Sequence, residues 1–375
     1  MELDFTADQD ELRASVRAVL DRECAVHDVR ALVEARVRGE EPHDGPDGPT
    51  LDRRLWHTVT ALDWPGLTIA AEYGGVGLGF VELAVVAEEL GRALAPGPLL
   101  PTLTQLVPAL RAGGWAEGLT QVAAGRLAGS LALTEEAGWS LDEIATTAEH
   151  HGSTWRLRGR KRNVQEAGAV DEYAVVARVE SGLALVRVPA EAVVVEPVRP
   201  LDPTRGLGHL VFESVEVEDD HLRPIGRELL ARVLEEATIG VALDMVGCCQ
   251  AILDTTVAYA RERVQFGVPI GSFQAVQHKL VDMFVSLERA RATAYFAAAC
   301  VAEDDPRRTC AAATAKAAAG DCQRLVGSGG IQLLGGIGYT WEHDQQLYVK
   351  RAKADDALFG TAHEHRRALA DHLGI

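Results

Sequence analysis

The sequence predicts an α+β protein in three parts. These are an N-terminal helical domain over residues 1–125, an antiparallel β domain over 126–225 and a C-terminal four-helix bundle over 226–375. Three observations carry this. Apolar residues recur at helical spacing through the first third. Short Val- and Leu-rich runs broken by Gly, Pro and acidic turns fill the middle. Helical spacing returns after Gly226 and persists. Helices segregated from strands along the chain give α+β, and 375 residues exceed one ordinary core.

In chain order, Thr6 or Asp8 can cap a first helix carrying Leu12, Val16, Val19 and Leu20 on one side. Gly39–Thr50, GEEPHDGPDGPT, reads as a polar loop. Tyr73–Gly79, YGGVGLG, has the glycines of a phosphate loop but no preceding strand, so it reads as a turn between helices. Phe80–Leu94 is helical. Strands follow at Ala128–Thr134, Thr154–Arg158, Tyr173–Val179, Leu183–Val188, Val193–Val198 and His209–Val217. Four helices are then expected at roughly 228–264, 273–303, 307–334 and 342–371, with short links that suit a bundle. Gly267 is the expected C-cap of the first and Pro269 its stop.

A net charge of −18 argues against nucleic acid, whose phosphates would repel such a surface. The basic run Arg156–Arg162, RLRGRKR, reads as a solvated strand face. Six cysteines show no metal spacing, and most lie in apolar helical stretches. They read as buried thiols of a reducing, cytoplasmic compartment. The acidic N-terminus lacks the apolar core of a signal peptide, and no run of eighteen apolar residues suggests membrane insertion. His343, His363 and His365 read as surface imidazoles, since two residues apart on a helix face different ways.

The segments Arg261–Asp282, RERVQFGVPIGSFQAVQHKLVD, and Gln332–Tyr339, QLLGGIGY, are the most informative. An arginine near a helix end and tight turn offers five fixed donors for a pyrophosphate, and Phe266 can lie against a ring system. These segments, with GGIGYTWEHD continuing as QQLYVKRA, resemble the acyl-CoA dehydrogenase family. The likeness covers essentially the whole chain and is strongest after residue 226, and GGIGYTWEHD with its continuation resembles actinobacterial members that handle bulky acyl-CoA esters, steroid thioesters among them. It implies FAD as cofactor, an acyl-CoA or acyl-carrier thioester as substrate and an electron-transfer acceptor. It further implies a homo- or heterotetramer with a related subunit.

By the resemblance, Arg263, Phe266 and Gln274 contact the diphosphate and adenosine end of FAD. Gln332, Gly335 and Gly336 let backbone approach a neighbour's cofactor. Thr134 and Ser140 belong to a loop against flavin and thioester, and Thr361 to a turn near the flavin. Two departures stand out. The flavin-contact strand reads Lys161–Ala167, KRNVQEA, with Asn163 and Gln165 where the family carries Trp and Thr. The position of the family's catalytic glutamate is Phe359, which takes no proton.

The reaction removes an α-proton while a β-hydride passes to flavin, so a carboxylate within reach of that proton is needed. An alternative family position falls at Ala237, which is inert. Asp244, seven residues on and about 20° round the same helix face, is the expected catalytic residue. A structural Asp244, paired with an arginine of another helix, and a base at Glu236 stay open. The leading expectation is a dehydrogenase subunit sharing an FAD site with its partner. The alternatives are a silent structural subunit and a repurposed enzyme of specialised metabolism.

Overall fold

The computed structural model describes residues 5–39, 50–136 and 138–375. The expected loop at Gly39–Thr50 therefore falls largely outside the described residues. In chain order the elements are α1 (Ala7–Glu23), α2 (Val26–Arg38), α3 (Leu51–Ala61), α4 (Phe80–Arg92), α5 (Leu99–Pro101), α6 (Val107–Gly113) and α7 (Ala116–Ala123). Strands β1 (Gly129–Ala132), β2 (Thr147–His151), β3 (Thr154–Gln165), β4 (Glu172–Val179), β5 (Gly182–Pro189), β6 (Val194–Pro197), β7 (Leu207–Glu218) and β8 (Leu222–Ile225) follow. The chain ends with α8 (Arg227–Glu262), β9 (Val264–Gln265), β10 (Val268–Pro269), α9 (Gln274–Ala302), α10 (Arg308–Leu334), α11 (Gln345–Asp356) and α12 (Ala362–Leu373). Helices, then strands, then helices is the predicted order.

Contacts group the chain into two compact units: Met1–Pro42, Phe80–Ala95 and Thr238–Ile375 form one, His43–Gly79 and Pro96–Ala237 the other. The first is helical. Thr6 caps α1 through a capping box with Gln9. On α4, Glu89 accepts both Arg17 hydrogen bonds at 2.6 and 3.0 Å, while Glu88 accepts from Arg291 at 2.9 Å and the Tyr295 hydroxyl at 2.8 Å. These buried carboxylates each gain charge-assisted bonds, which offset their desolvation. Val246, Cys249, Ile252, Met283, Leu287, Ala290, Cys322 and Val326 form the core between α8, α9 and α10. The apolar window of α8 is long enough to cross a membrane, but 89 % of it is buried within the protein.

The second unit holds the sheet, ordered β6-β7-β3-β2-β4-β5-β8 with β1 beside β4. It is mixed, not wholly antiparallel: β1 runs parallel to β4, as does the one pairing of β2 with β4. The β2–β3 hairpin supplies the long connection that parallel pairing needs. Tyr173, Val175, Ala177, Leu157, Leu210 and Phe212 fill its core. Glycines 74–79 follow a 3-10 turn (Ala71–Tyr73), as a turn before a helix should.

Three local expectations are corrected. The segment expected at 342–371 is two helices, because Phe359 and Gly360 are both left-handed (φ 54 and 94) and Thr361 caps a new start with Glu364. Gly267 is not a helix C-cap. With Phe266 (φ 53, against 83 for the glycine) it forms the two-residue turn of the β9–β10 hairpin, which wants positive φ at both positions. The basic run is not uniformly solvated: Arg156, Arg160 and Arg162 pair with Glu216, Glu196 and Glu136, and Lys161 is fully buried.

Candidate cofactor and active site

In the helical unit the hairpin after α8 lifts Phe266 into solvent, 92 % exposed. A bulky residue at positive φ costs about 1–2 kcal/mol, and no burial of its ring compensates within the chain. Such an outlier points to function. Phe273 meets the Phe266 ring edge-on at 6.1 Å, and Arg263 and Gln274 flank the pair, both exposed. The hairpin thus gathers Arg263, Phe266 and Gln274 on one exposed corner.

The second sequence group lies at the end of α10. Gln332 is exposed, and its side-chain oxygen accepts from Lys279 of α9. Gly335 has φ 68 and ψ −140, a conformation open essentially to glycine alone. A Cβ at Gly335 or Gly336 would meet nothing within 4 Å, so their backbone stands open to approach. An exposed guanidinium, an aromatic ring, side-chain amides and open glycine backbone fit the ADP end of a dinucleotide.

Thr361 belongs to the α11–α12 turn. Its hydroxyl donates to Glu364 at 2.8 Å and accepts from the Glu364 amide at 3.3 Å, so the side chain serves as cap and only the surrounding turn remains for a ligand. Phe359 is 8 % exposed. His365 is no free surface imidazole: its Nε2 lies 2.9 Å from the Phe359 carbonyl, and burial, with Lys316 beside it, lowers its pKa.

Asp244 is 1 % exposed and lies 3.5 Å from the Arg351 guanidinium of α11. Cys248, one turn on, has its thiol 3.9 Å from the Asp244 carboxylate. This is the arrangement of a buried ion pair. Ala237 is fully buried.

In the sheet unit, Thr134 is buried and its carbonyl accepts the Arg162 amide at 2.7 Å, while Ser140 accepts from the Asp142 amide at 3.3 Å. What orders this loop is a pair that no sequence motif announces. Lys161 Nζ donates to Glu135 at 2.6 Å and to the Leu133 carbonyl at 3.1 Å, and Glu135 also accepts from the Ala145 and Thr146 amides. Burial drops Lys161 to about 8, opposed by Glu135. Burial alone would raise Glu135, but the bonds from Lys161, Thr146 and Ala145 together hold it below the usual carboxylate range.

On β3, the strand that the resemblance sets against the flavin, Asn163 is exposed with φ 51, a conformation asparagine tolerates well. Its amide donates to His209 Nδ1 at 3.3 Å. Gln165 is buried. The Leu131 amide donates to Gln105 at 3.1 Å, and Gln105 Nε2 donates in turn to Gln165 Oε1 at 2.5 Å. That relay fixes the Gln165 amide with Nε2 buried and without a hydrogen-bond partner. So this strand offers donors but, at Asn163, no ring to cover an isoalloxazine. Glu236 accepts from Arg111 at 3.2 Å.

The chain matches known proteins along most of its length. Residues 6–117 match the acyl-CoA dehydrogenase N-terminal domain and residues 226–374 the C-terminal domain. Acyl-CoA dehydrogenase IpdE2 of Mycobacterium tuberculosis is 33% identical over 364 residues, covering 97% of this chain and 98% of that protein. The ChsE4–ChsE5 complex from Mycobacterium tuberculosis superposes with a TM-score of 0.89 at 27% identity, covering 100% of this chain and 99% of that one. The Tcur3481-Tcur3483 steroid ACAD, solved as a variant, gives a TM-score of 0.85 at 28% identity, covering 98% of each chain. The fold and these relatives define a flavin-linked dehydrogenase scaffold. The chain belongs to the acyl-CoA dehydrogenase family, whose members are FAD-dependent oxidoreductases.

Proposed function

We propose that this chain is one subunit of a heteromeric acyl-CoA dehydrogenase that forms an α,β-double bond in a bulky acyl thioester. It contributes the ADP-end half of an FAD site that a related subunit completes. The observation carrying this is the exposed Phe266 at positive φ, flanked by Arg263 and Gln274, while the flavin-contact strand shows Asn163 in place of an aromatic ring. When bound, FAD accepts the β-hydride. This chain's own part is to hold the diphosphate through Arg263, stack through Phe266 and offer backbone at Gly335 and Gly336. Thr134 and Ser140, on the loop ordered by Lys161, lie toward the thioester. The bulky class of substrate is supported by the likeness to a steroid ACAD. Buried cysteines such as Cys249, Cys300 and Cys322, outside any disulfide, support a reducing, cytoplasmic setting.

The test is to purify the full chain alone and co-expressed with a related subunit, then record flavin content and anaerobic bleaching by acyl-CoA esters. Stoichiometric flavin only in the complex supports a shared site. Full flavin and bleaching in the chain alone would refute the sharing.

Asp244 is the carboxylate the sequence nominates as base. Its burial against Arg351 favours a second reading, in which Asp244 ties helices together and the proton goes to a group outside this chain. In the complex, Asp244→Asn with normal flavin content but no bleaching would restore Asp244 as base. Unchanged bleaching with a lowered unfolding midpoint would establish the ion-pair role.

A further inference from the structure

Lys316 stands in the alanine-rich run AAATAKAAAG of α10 and is 0 % exposed. Its ammonium reaches the α11–α12 turn, donating to the Asp356 carbonyl at 2.9 Å and the Gly360 carbonyl at 2.6 Å. Around it the same turn is held from two further directions. His365 Nε2 meets the Phe359 carbonyl at 2.9 Å, and Asp356 Oδ1 accepts the Ala362 amide at 3.2 Å. The approach of α10 depends on Gly320, one turn past Lys316. A Cβ there would fall 2.5 Å from both Asp356 Oδ1 and the Ala362 side chain.

Two costs meet at this turn. Phe359 is a bulky residue at positive φ, directly before a second left-handed residue. A lysine is fully buried, and its burial lowers the pKa to about 8 despite the carboxylates of Asp356, Asp355 and Glu364. A link between two helices needs neither feature, since a glycine and a cap suffice. Both go to fixing where residues 359–361 sit.

We propose that Lys316 is a positioning residue whose bonds to the Asp356 and Gly360 carbonyls hold the Phe359–Gly360–Thr361 turn in its doubly left-handed form. The turn is thereby presented in one orientation to the isoalloxazine end of FAD. The cofactor part rests on the functional reading above; the clamp itself does not. The lysine works in either protonation state, because an ammonium has three N–H groups and a neutral amine two, enough for both carbonyls.

The test uses the full chain with its partner subunit and two readouts, hydrogen exchange of the amides at 357–361 and FAD affinity by visible-absorbance titration. Lys316→Met keeps most of the side chain's length and its apolar stem and removes every donor. We expect exchange at 357–361 to rise about tenfold or more, with α9 and α10 amides unchanged, and FAD affinity to fall about tenfold, the order expected when the two bonds that hold the turn are lost. Arg351→Met, a destabilising change elsewhere in the helical unit, should raise exchange across the unit without a selective rise at 357–361 and leave FAD affinity unmoved. Should Lys316→Met not fold, Lys316→Gln, shorter but still a donor, should shift both in the same direction. Exchange at 357–361 rising only in step with the whole unit would overturn the clamp. Unchanged FAD affinity beside faster local exchange would overturn the cofactor link. If the wild type takes up no FAD with any partner, the functional reading fails, and the exchange result alone still decides the clamp.

Discussion

Arg351 of α11 and Asp244 of α8 form an ion pair at 3.5 Å with both side chains essentially excluded from solvent. The same guanidinium faces the Leu94 and Ala95 carbonyls at 3.4 Å, where α4 ends on a left-handed Leu94. One side chain thus ties three helices. Removing one member of such a pair strands the other charge, which costs about 3–5 kcal/mol. Arg351→Met should therefore lower stability by that order, measured by urea unfolding. A double change, Asp244→Leu with Arg351→Met, should cost less than Arg351→Met alone, since no charge is left buried. A double variant worse than the single would show that the carbonyl bonds, not the ion pair, dominate.

Helices α4 and α8 approach so closely that only glycines fit. A Cβ at Gly247 would fall 1.9 Å from the Glu88 carbonyl oxygen, and one at Gly91 would fall 2.1 Å from that of Asp244. Both obstacles are backbone, so no rotamer change relieves them. Gly247→Ala and Gly91→Ala should each destabilise by about 2–3 kcal/mol. Gly327 on α10 is the contrast: its nearest neighbour would be a Val349 methyl at 3.7 Å, an ordinary contact. Gly327→Ala should stabilise by about 0.5–1 kcal/mol through helix propensity. Thermal unfolding of the three variants checks the signs. Equal shifts would mean the helices separate freely.

Two buried lysines should each contribute stability that grows as pH rises above 8. Lys161 and Lys316 both titrate near 8 in the folded protein, driven down chiefly by burial, against 10.5 as the ordinary value. Between those values each lysine binds more protons in the unfolded chain than in the folded one, so its contribution to stability increases with pH. The advantage of the wild type over Lys316→Met should widen between pH 7.5 and 10 in paired denaturant titrations. A constant gap would show that Lys316 keeps its ordinary proton affinity.

Much of this fold is legible because each bundle helix carries its own periodic signal. The expected 273–303 and 307–334 are Gln274–Ala302 and Arg308–Leu334. The break near Phe359 is hidden because Ala-Leu-Phe-Gly contains no proline, although Thr361 and Glu364 spell a capping box. The parallel pairing of β1 is not legible, since local alternation carries no information about partners. At the candidate site, Asp244 among apolar neighbours announces a buried carboxylate, but its partner lies 107 positions on and no local pattern connects them. Lys316 does carry a signal. The run Ala311–Gly320 is alanine-rich on nearly every side, so a helix that buries this stretch must bury the lone lysine with it.

By the resemblance, Phe359 holds the position of the family's proton-accepting glutamate, and it lies on a turn whose Gly360 and Phe359 carbonyls meet Lys316 and His365. Glutamate and phenylalanine have similar steric costs at φ 54, so Phe359→Glu should leave the turn in place. The site is shielded, at 8 % exposure, which raises a carboxyl's proton affinity toward that of a working base. If this chain supplies no base of its own, Phe359→Glu in the flavin-loaded complex should speed bleaching by acyl-CoA about 10²–10⁴-fold, the usual worth of general base catalysis. Anaerobic stopped-flow absorbance reads this directly, and combining the change with Asp244→Asn separates the two carboxylates. A gain that survives Asp244→Asn places the proton transfer at position 359. No gain with flavin content intact would mean that residue 359 does not face the thioester's α-carbon.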